Sequence, residues 1–443
     1  RLVSLYDGAH VPAPHLDWSR IVEYAHGQPP PPQQTGAYEY QYSAPGIVDG
    51  RSQPQHTDVL RNISTAPPPP HLVTRHLWPR DFPSWDTAGC VNVRVHGAVG
   101  DGFTDDWLPL TKALAQAAAA DCGVVFLPRG VYALSRTLQV PCGVSVVGVA
   151  KHLSRIVPTD TAQPSTSSPL LHLLPCPSNP PCPLGSSLAF VSVTVWNHHD
   201  MAALRWDAPR GFIRQFHANR ANRCGSLQTS GCFPSVRINQ PLQIITGGAS
   251  VYTFFLEDCC RTATMPWGGF WGGFLAGPQG PQYRHLLVAN AEGVRFYHLN
   301  CEHGTGEAIC EVARSSDVEV YGFKTEGNTV ALWVHDSSEV LLTGTGGVGC
   351  VQNDTVWPAG FSPHPPTLYR VENTTNFVLA NLVDQCSDVP AGTPRQPNMF
   401  DEVGCDPLAF NILNVDGHVT PALHRPVVVH SGHLVRDTEQ QLE

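Results

Sequence analysis

Charged residues are scarce in this sequence. Only 14% of the 443 residues are charged, and the formal net charge is −10. No block of lysine or arginine is present that would neutralise nucleic-acid phosphates, which argues against that class of partner. No apolar run reaches the about 20 residues that a membrane-spanning helix needs. Phosphate-binding loops, dinucleotide fingerprints, Gly-x-Ser-x-Gly and Cys-x-x-Cys are also missing, so neither a metal nor an organic cofactor is predicted.

Cysteine, in contrast, is plentiful. Fourteen cysteines and three Asn-x-Ser/Thr acceptors, at Asn62, Asn353 and Asn373, indicate a secreted, glycosylated protein of the cell wall, matrix or cell surface. Because the chain starts at Arg1 without methionine or signal peptide, the sequence indicates a processed or excerpted chain. The cysteine spacing favours local disulfides, which we expect between Cys122 and Cys142, Cys176 and Cys182, Cys224 and Cys232, and Cys301 and Cys310.

Proline is concentrated before residue 91. Runs of proline at 29–32 and 67–70 favour an extended polyproline conformation, so residues 1–90 are predicted to form an arm. Such an arm serves either as a linker laid along the rest of the molecule or as a contact to neighbouring matrix or filament proteins.

Residues 91–148 read as strand, tight turn, helix and further short strands. Alternation predicts a strand over 91–95, and glycines predict a turn over 97–102. Thr104 is the predicted N-cap of a helix spanning about 104–120, with Asp105 and Asp106 in its first turn. We interpret Asp101, Asp105 and Asp106 as turn and cap residues rather than catalytic carboxylates.

This stretch resembles a known family. VNVRVHGAVGDGFTDD followed by CGVVFLPRGVYALSRTLQVPCGVSVVG is similar to the N-terminal signature of the pectate-lyase-like right-handed parallel β-helix superfamily, over about sixty residues. The resemblance implies an all-β, single-stranded right-handed parallel β-helix whose first coil is covered by the helix. Such a cap also protects the open edge of the first strands.

A repeat of 20-odd residues agrees with a solenoid. Strands beginning at Val294, Val318 and Val340 are 24 and 22 residues apart, and a second series at Ala308 and Ala331 is 23 residues apart. We predict a β-helix over 91–385 with insertions at about 151–186 and 205–235. Residues 386–443 are predicted to form an irregular tail packed on it.

The repeat region resembles β-helical exo-β-1,3-glucanases and related carbohydrate-active proteins, from about Tyr283 to Val351. Within it, Glu302 and Glu326 follow equivalent strands 24 residues apart, so they should stack about 4.8 Å apart at one corner. Two carboxylates at that distance cannot both ionise freely, and one of them becomes a candidate general acid.

A separation of about 5 Å suits retention of anomeric configuration, whereas inversion needs about 6.5–9.5 Å. The hydrolases that the chain resembles invert, which implies a base elsewhere, for which Glu307 and Asp336 are the candidates. His303 and Lys324 neighbour the glutamates. The competing interpretation is that Glu302, Lys324 and Glu326 form a structural ion-pair ladder without catalysis.

Aromatic residues supply candidate sugar-binding positions. Trp267, Phe270 and Trp271 lie in a glycine-rich stretch that excludes a regular helix, and they either stack on sugars or pack against the solenoid. Trp333 and His335 lie just after the column near Glu302 and are candidates for the same groove.

The sequence therefore predicts a secreted carbohydrate-active protein, a glycoside hydrolase on a neutral, β-glucan-like extracellular polysaccharide. A non-catalytic matrix or filament component, with the solenoid as a rigid strut, is the alternative from another class. A polysaccharide lyase is a further alternative, which would need arginine or calcium beside an acidic sugar; residues 205–223 hold the one arginine cluster.

Overall fold

The computed structural model describes the chain in separate stretches. They are residues 83–120, 123–159, 169–176, 185–195, 202–209, 211–220, 284–302, 307–327, 330–349, 367–382, 411–421 and 427–432. The backbone of short strands at 23–25, 47–48, 51–52, 59–61, 236–238 and 250–257 is also described.

Parallel strands stack in three columns, and successive coils of the chain add strands to each. The first column begins with Val91–Asn92, Val124–Leu127, Ser145–Gly148 and Ser186–Ala189. The second begins with Asp101–Asp105, Gly130–Leu134, Ser154–Pro158 and Ser192–Val195. Long strands then run through both columns: Gly211–Arg220, Ser250–Glu257, Glu292–Glu302, Ser316–Gly327 and Ser338–Gly349.

The third column is a 10-stranded sheet. Its parallel strands are Leu138–Val140, Leu171–Leu173, Leu204–Trp206, Val236–Ile238, Leu286–Ala289, Ala308–Ala313, Val330–His335, Thr367–Glu372 and Asn411–Val415. Antiparallel strands end two of the columns: His418–Pro421 closes the third, while Val427–Gly432 pairs with Phe377–Leu382 in the first. The predicted parallel β-helix is confirmed.

A residue in the middle of four of the five long strands adopts a left-handed backbone conformation. Gln215, His298, Gly322 and Gly344 have φ values of 48°, 56°, 75° and 70°. The neighbours of the last three pair in register, so His298, Gly322 and Gly344 stack on successive coils and turn the chain from the first column into the second. Between such corners, inward side chains such as Phe296, Val320 and Leu342 align in one buried row, which forms the core.

A helix covers the first coil, as predicted, but it begins later than expected. The helix spans Trp107–Ala118 and buries Leu110, Ala113, Leu114 and Ala117. Thr104 is not the N-cap, because it lies in the strand Asp101–Asp105, and Asp106 occupies the cap position. The reason is that Asp101 binds the amide and hydroxyl groups of Thr104 within the turn.

The three aspartates of this turn bind backbone amides, as their interpretation as turn residues requires. Asp106 accepts from Val99 N at 2.6 Å and from Gly100 N at 2.8 Å, and its burial raises the pKa of its carboxyl. Asp101 accepts from the amides of residues 103 and 104, which lower the pKa of its exposed carboxyl. Asp105 accepts from the amides of residues 107 and 135.

Local sequence patterns misplaced several elements. The strand predicted over 91–95 stops at Asn92, whose side chain accepts from Arg94 N and caps a 3-10 helix at Val93–His96. The predicted insertion at 151–186 contains the coil strands at 154–158 and 171–173, and the one at 205–235 contains most of two more. Within the predicted tail, strand 411–415 continues the third column. Two of these strands, 171–173 and 204–206, have only three residues, too short an apolar pattern to be recognised.

The predicted arm is described only in part. Strand Glu23–Ala25 pairs antiparallel with Val59–Arg61, and Ile47–Val48 pairs antiparallel with Arg51–Ser52. The two proline runs lie outside the described residues.

Disulfide pairing also differs from prediction. Cys142 is bonded to Cys176, with Cα atoms 5.1 Å apart, so the pairings Cys122–Cys142 and Cys176–Cys182 are wrong. The cause is the coil itself, because Val140 pairs with Leu173 and thereby brings residues 34 positions apart together. The Sγ atoms of Cys301 and Cys310, another predicted pair, are 2.7 Å apart and are not joined in a disulfide. The predicted pair Cys224 and Cys232 lies outside the described residues.

Candidate functional site

The two candidate catalytic glutamates of the sequence occupy paired positions. Glu302 and Glu326 are register partners on adjacent strands, as their spacing of 24 residues predicts. Both lie within strands that extend further than expected, rather than after them. Glu257 is the register partner of Glu302 on the preceding coil. The backbone therefore places three glutamates in one row, with about 4.8 Å between neighbouring strands.

Lys324 lies two residues before Glu326 on the same strand, as the sequence predicts. It is half-buried and pairs in register with Asn300, two residues along the strands from the glutamate row. Among the other predicted site residues, Trp267, Phe270, Trp271 and His303 lie outside the described residues, as do the acceptors Asn62 and Asn353.

The structure brings four predicted residues together on the third column. Glu307, Trp333, His335 and Asp336 lie on or beside two adjacent strands, 308–313 and 330–335. Four further residues complete this group, which we call the tryptophan cluster: Arg284, Glu311, Arg370 and Glu372. Glu311, Trp333 and Arg370 are register partners on three successive coils. They alternate along their strands with core residues such as Val334, so they face away from the core.

Trp333 is held at the centre of the cluster. The guanidinium of Arg370 lies 4.4 Å from the ring centroid and that of Arg284 lies 5.6 Å from it, both at cation–π distance. The indole Nε1 donates to Glu372 Oε2 at 3.0 Å, and the ring of His335 is 4.4 Å away. These contacts fix the orientation of a half-buried ring.

Both arginines are buried and paired with glutamates. Arg284 Nε donates to Glu311 Oε2 at 2.6 Å, and Arg370 makes two bonds to Glu372 at 2.8 and 3.0 Å. Glu307 lies between them, 3.4 Å from Arg284 Nη2 and 3.5 Å from Arg370 Nη1. Each arginine side chain is 4% exposed, so its charge depends on these carboxylates for compensation.

His335 lies between two carboxylates. Its Nε2 is 3.0 Å from Glu311 Oε1 and its Nδ1 is 2.8 Å from Asp336 Oδ2. The hydrogen bond to Glu311 outweighs burial and raises the pKa of His335. Burial opposes ionisation of Glu311, but bonds from His335 and Arg284 prevail and lower its pKa. Bonds from His335 and Asn373 also lower the pKa of Asp336. The arrangement favours an imidazolium between two carboxylates.

The cluster carries a net negative charge. With His335 protonated, it holds three positive groups, Arg284, Arg370 and His335, against four carboxylates: Glu307, Glu311, Asp336 and Glu372. The difference is −1. Arg314, which also lowers the pKa of Asp336, offsets this charge at the edge of the cluster.

Buried hydroxyl groups fix the corner that follows the cluster strands. Ser337 Oγ donates to His335 O at 2.7 Å, and Thr374 Oγ1 donates to Glu372 O at 2.8 Å. Ser337 Oγ also accepts from Ser315 N at 3.1 Å, which links one coil to the next. Beyond this corner lies the exposed Asn373, a predicted glycosylation site. Its Nδ2 donates a hydrogen bond to Asp336 Oδ1 at 2.7 Å.

The first coils of the solenoid match a known protein family. Residues 90–167 match the family model described as rhamnogalacturonase A/epimerase, pectate lyase-like. The resemblance to the pectate-lyase-like superfamily is confirmed. This stretch contains the GDGFTDD turn and the capping helix that carry the signature.

Curated relatives match only part of the chain. A glucan 1,3-beta-glucosidase of Cochliobolus carbonum is 29% identical over 134 residues, which are 30% of this chain and 14% of the relative. The non-secreted LysM effector LysM19 of Penicillium expansum is 40% identical over 83 residues, 18% of this chain and 6% of the relative. The chain thus spans a small fraction of these proteins.

An iota-carrageenase solved with iota-carrageenan fragments has a similar structure, with a TM-score of 0.40 and 12% identity, covering 69% of this chain and 60% of that one. In the described part of this chain, no helix has the length and apolar character needed to cross a membrane.

Proposed function

We propose that the chain is a secreted carbohydrate-active protein that hydrolyses a neutral, β-glucan-like extracellular polysaccharide. The observation that carries this proposal is the tryptophan cluster, in which an oriented aromatic ring and several carboxylates face outward on successive coils. Aromatic rings pack against the apolar faces of sugars, and paired carboxylates supply acid and base for glycoside hydrolysis.

The glutamate row lies one corner before the cluster and supplies the proposed acid. Glu302 ends the strand that precedes the corner, and Glu307 lies just before the next strand. Either Glu302 or Glu326 would protonate the leaving oxygen, because stacked carboxylates raise one another's pKa. Glu307 and Asp336 are the candidates for the base that activates water. Trp333, His335 and Lys324 would bind the sugar, together with the predicted positions Trp267, Phe270, Trp271 and His303.

The pairing of both cluster arginines with glutamates favours a neutral over an acidic polysaccharide. A lyase neutralises the carboxylate of its sugar with a cation, whereas Arg284 and Arg370 already compensate glutamates. Calcium would be needed only for that lyase reaction, and the hydrolase we propose requires no cofactor.

A non-catalytic strut is the second candidate, and a specific observation favours it. The polar atoms of the cluster bind one another: Trp333 Nε1 binds Glu372, and both nitrogens of His335 bind carboxylates. A network of this kind also ties neighbouring coils together without catalysis. In that case the arm of residues 1–90 would contact neighbouring matrix or filament proteins.

A glycan-release assay separates these functions. The purified protein is incubated with β-1,3-glucan, mixed-linkage glucan, pectate and alginate, beside an E302Q/E326Q double variant. The matched control is Glu292→Gln, an exposed glutamate in the same strand as Glu302. New reducing ends from the wild type and the control, but not from the double variant, support hydrolysis at the glutamate row. Unsaturated products from pectate or alginate would indicate a lyase, and no product from any glycan would favour the strut.

A further inference from the structure

Two buried cysteines face each other across the corner beside the glutamate row. Cys301 is the penultimate residue of strand Glu292–Glu302, and Cys310 is the third residue of strand Ala308–Ala313. Neither side chain is exposed, and their Sγ atoms are 2.7 Å apart. This separation approaches the disulfide bond length of about 2.05 Å.

Packing alone does not require cysteine at these positions. The register partners of Cys301 are Leu256 and Thr325, and those of Cys310 are Leu286 and Leu332. The neighbouring coils thus use aliphatic residues or threonine at the same places. Only the coil of Cys301, among these three coils, has a cysteine at both positions, and the two thiols are in contact.

We propose that Cys301 and Cys310 form a disulfide that closes this corner in the mature protein. The two thiols lose two hydrogen atoms and two electrons in forming one S–S bond. The oxidant is a disulfide of an oxidising partner protein, which receives those atoms and electrons and becomes a dithiol. The Cys142–Cys176 disulfide in the same chain is consistent with an oxidising environment.

If the chain is the hydrolase proposed above, this bond also helps to position its catalytic groups. The bond joins the residue before Glu302 to a residue one position before Glu311, and so encloses Glu307 in a short covalent loop. It would hold the proposed acid and base in fixed relative positions. Because both thiols are buried, the bond would form as the coil closes and would resist reductants in the folded protein.

Peptide mapping tests the bond directly and independently of any activity. The unreduced protein is unfolded, alkylated and digested with trypsin and a glutamate-specific protease, which cut after Arg295, Glu302, Glu307 and Glu311. We expect residues 296–302 and 308–311 to appear as one linked species that separates on reduction. The linked pair around Cys142 and Cys176 is the positive control. Recovery of the two peptides unlinked, each with an alkyl group on its cysteine, would overturn the proposal.

A coil-copying variant tests the consequence. Cys301→Thr with Cys310→Leu places residues of the next coil at both positions, so the core keeps its character. We expect this folded variant to lose about tenfold or more in glycan hydrolysis, as loosened positioning of catalytic groups predicts. Unchanged hydrolysis would overturn the positioning role. If the wild type hydrolyses no glycan, the proposed function fails, while peptide mapping still decides the bond.

Discussion

Glu311 and His335 join neighbouring coils through a hydrogen bond of 3.0 Å between Oε1 and Nε2. The bond raises the pKa of His335 above its ordinary value of 6.5 and helps to lower that of Glu311 below 4.5. Each group therefore favours the charged state of the other.

This pair predicts a defined pH dependence of stability. The folded pKa of His335 is raised, so its contribution is complete below about pH 6.5 and is lost as the pH rises through the folded pKa. The folded pKa of Glu311 is lowered, so its contribution is complete above about pH 4.5 and is lost as the pH falls through the folded pKa. The pair stabilises most between these limits.

The variant Glu311→Gln tests this coupling. We expect the pKa of His335, measured by NMR of its ring protons, to fall in the variant, and urea unfolding to lose its stability advantage between the two limits. Glu292→Gln, an exposed substitution, should leave both measurements unchanged. A His335 pKa that is equal in wild type and E311Q would contradict the coupling.

Replacing the buried Arg370 should cost more stability than replacing an exposed arginine. Its side chain is 4% exposed and bound to Glu372 through two hydrogen bonds. Arg370→Gln removes the positive charge that compensates Glu372, which keeps only its bond from Trp333 among the two contacts described, and we expect the free energy of unfolding to fall by about 2 kcal/mol. Arg314→Gln, an exposed substitution on the same solenoid, should cost less than about 0.5 kcal/mol. Equal losses in the two variants, measured by denaturant unfolding, would refute the argument.

The solenoid was predictable because its core repeats. Val294, Val318 and Val340 are register partners at the predicted spacings of 24 and 22 residues. Inward valines are required on every coil, so apolar spacing alone aligned this column. The stacking of Glu302 on Glu326 followed from the same alignment.

The tryptophan cluster is only half predictable from sequence, because matching Ala308 with Ala331 places the third column one residue out of register. Ala308 pairs with Val330, 22 residues away, whereas the similarity of two alanines predicted Ala331. An error of one residue exchanges the two faces of a strand, so Glu311 was not expected opposite Trp333. Arg284 and Arg370 belong to no local motif. They meet at Glu307 because the coils stack, and their spacing in the sequence does not indicate this contact.

Trp333 predicts a loss of glycan affinity if the cluster binds sugar. We expect Trp333→Ala to weaken binding of the preferred soluble glucan about fivefold or more, because an aromatic contact is worth about 1 kcal/mol beyond its buried area. Trp333→Phe should keep most of the affinity, since it keeps a ring. Trp85→Ala is the control, because Trp85 is exposed beside the first coil, 6.0 Å from Phe126. Calorimetric titration that gives the same affinity for W333A and W85A would exclude the cluster as the binding face.

Replacing Asp106 tests how much the capping helix and its turn contribute to the stability of the solenoid. Its carboxylate accepts the amides of Val99 and Gly100, so Asp106→Ala leaves two backbone donors of the turn unpaired. We expect the free energy of unfolding to fall by about 2–3 kcal/mol, with faster amide exchange at both donors. Asp101 is fully exposed, and Asp101→Asn should cost less because an amide oxygen still accepts. Because the helix covers the first edge of the columns, we also expect D106A to aggregate sooner on heating. Amide exchange confined to the helix, with Val99 and Gly100 still protected, would show that another group satisfies the turn.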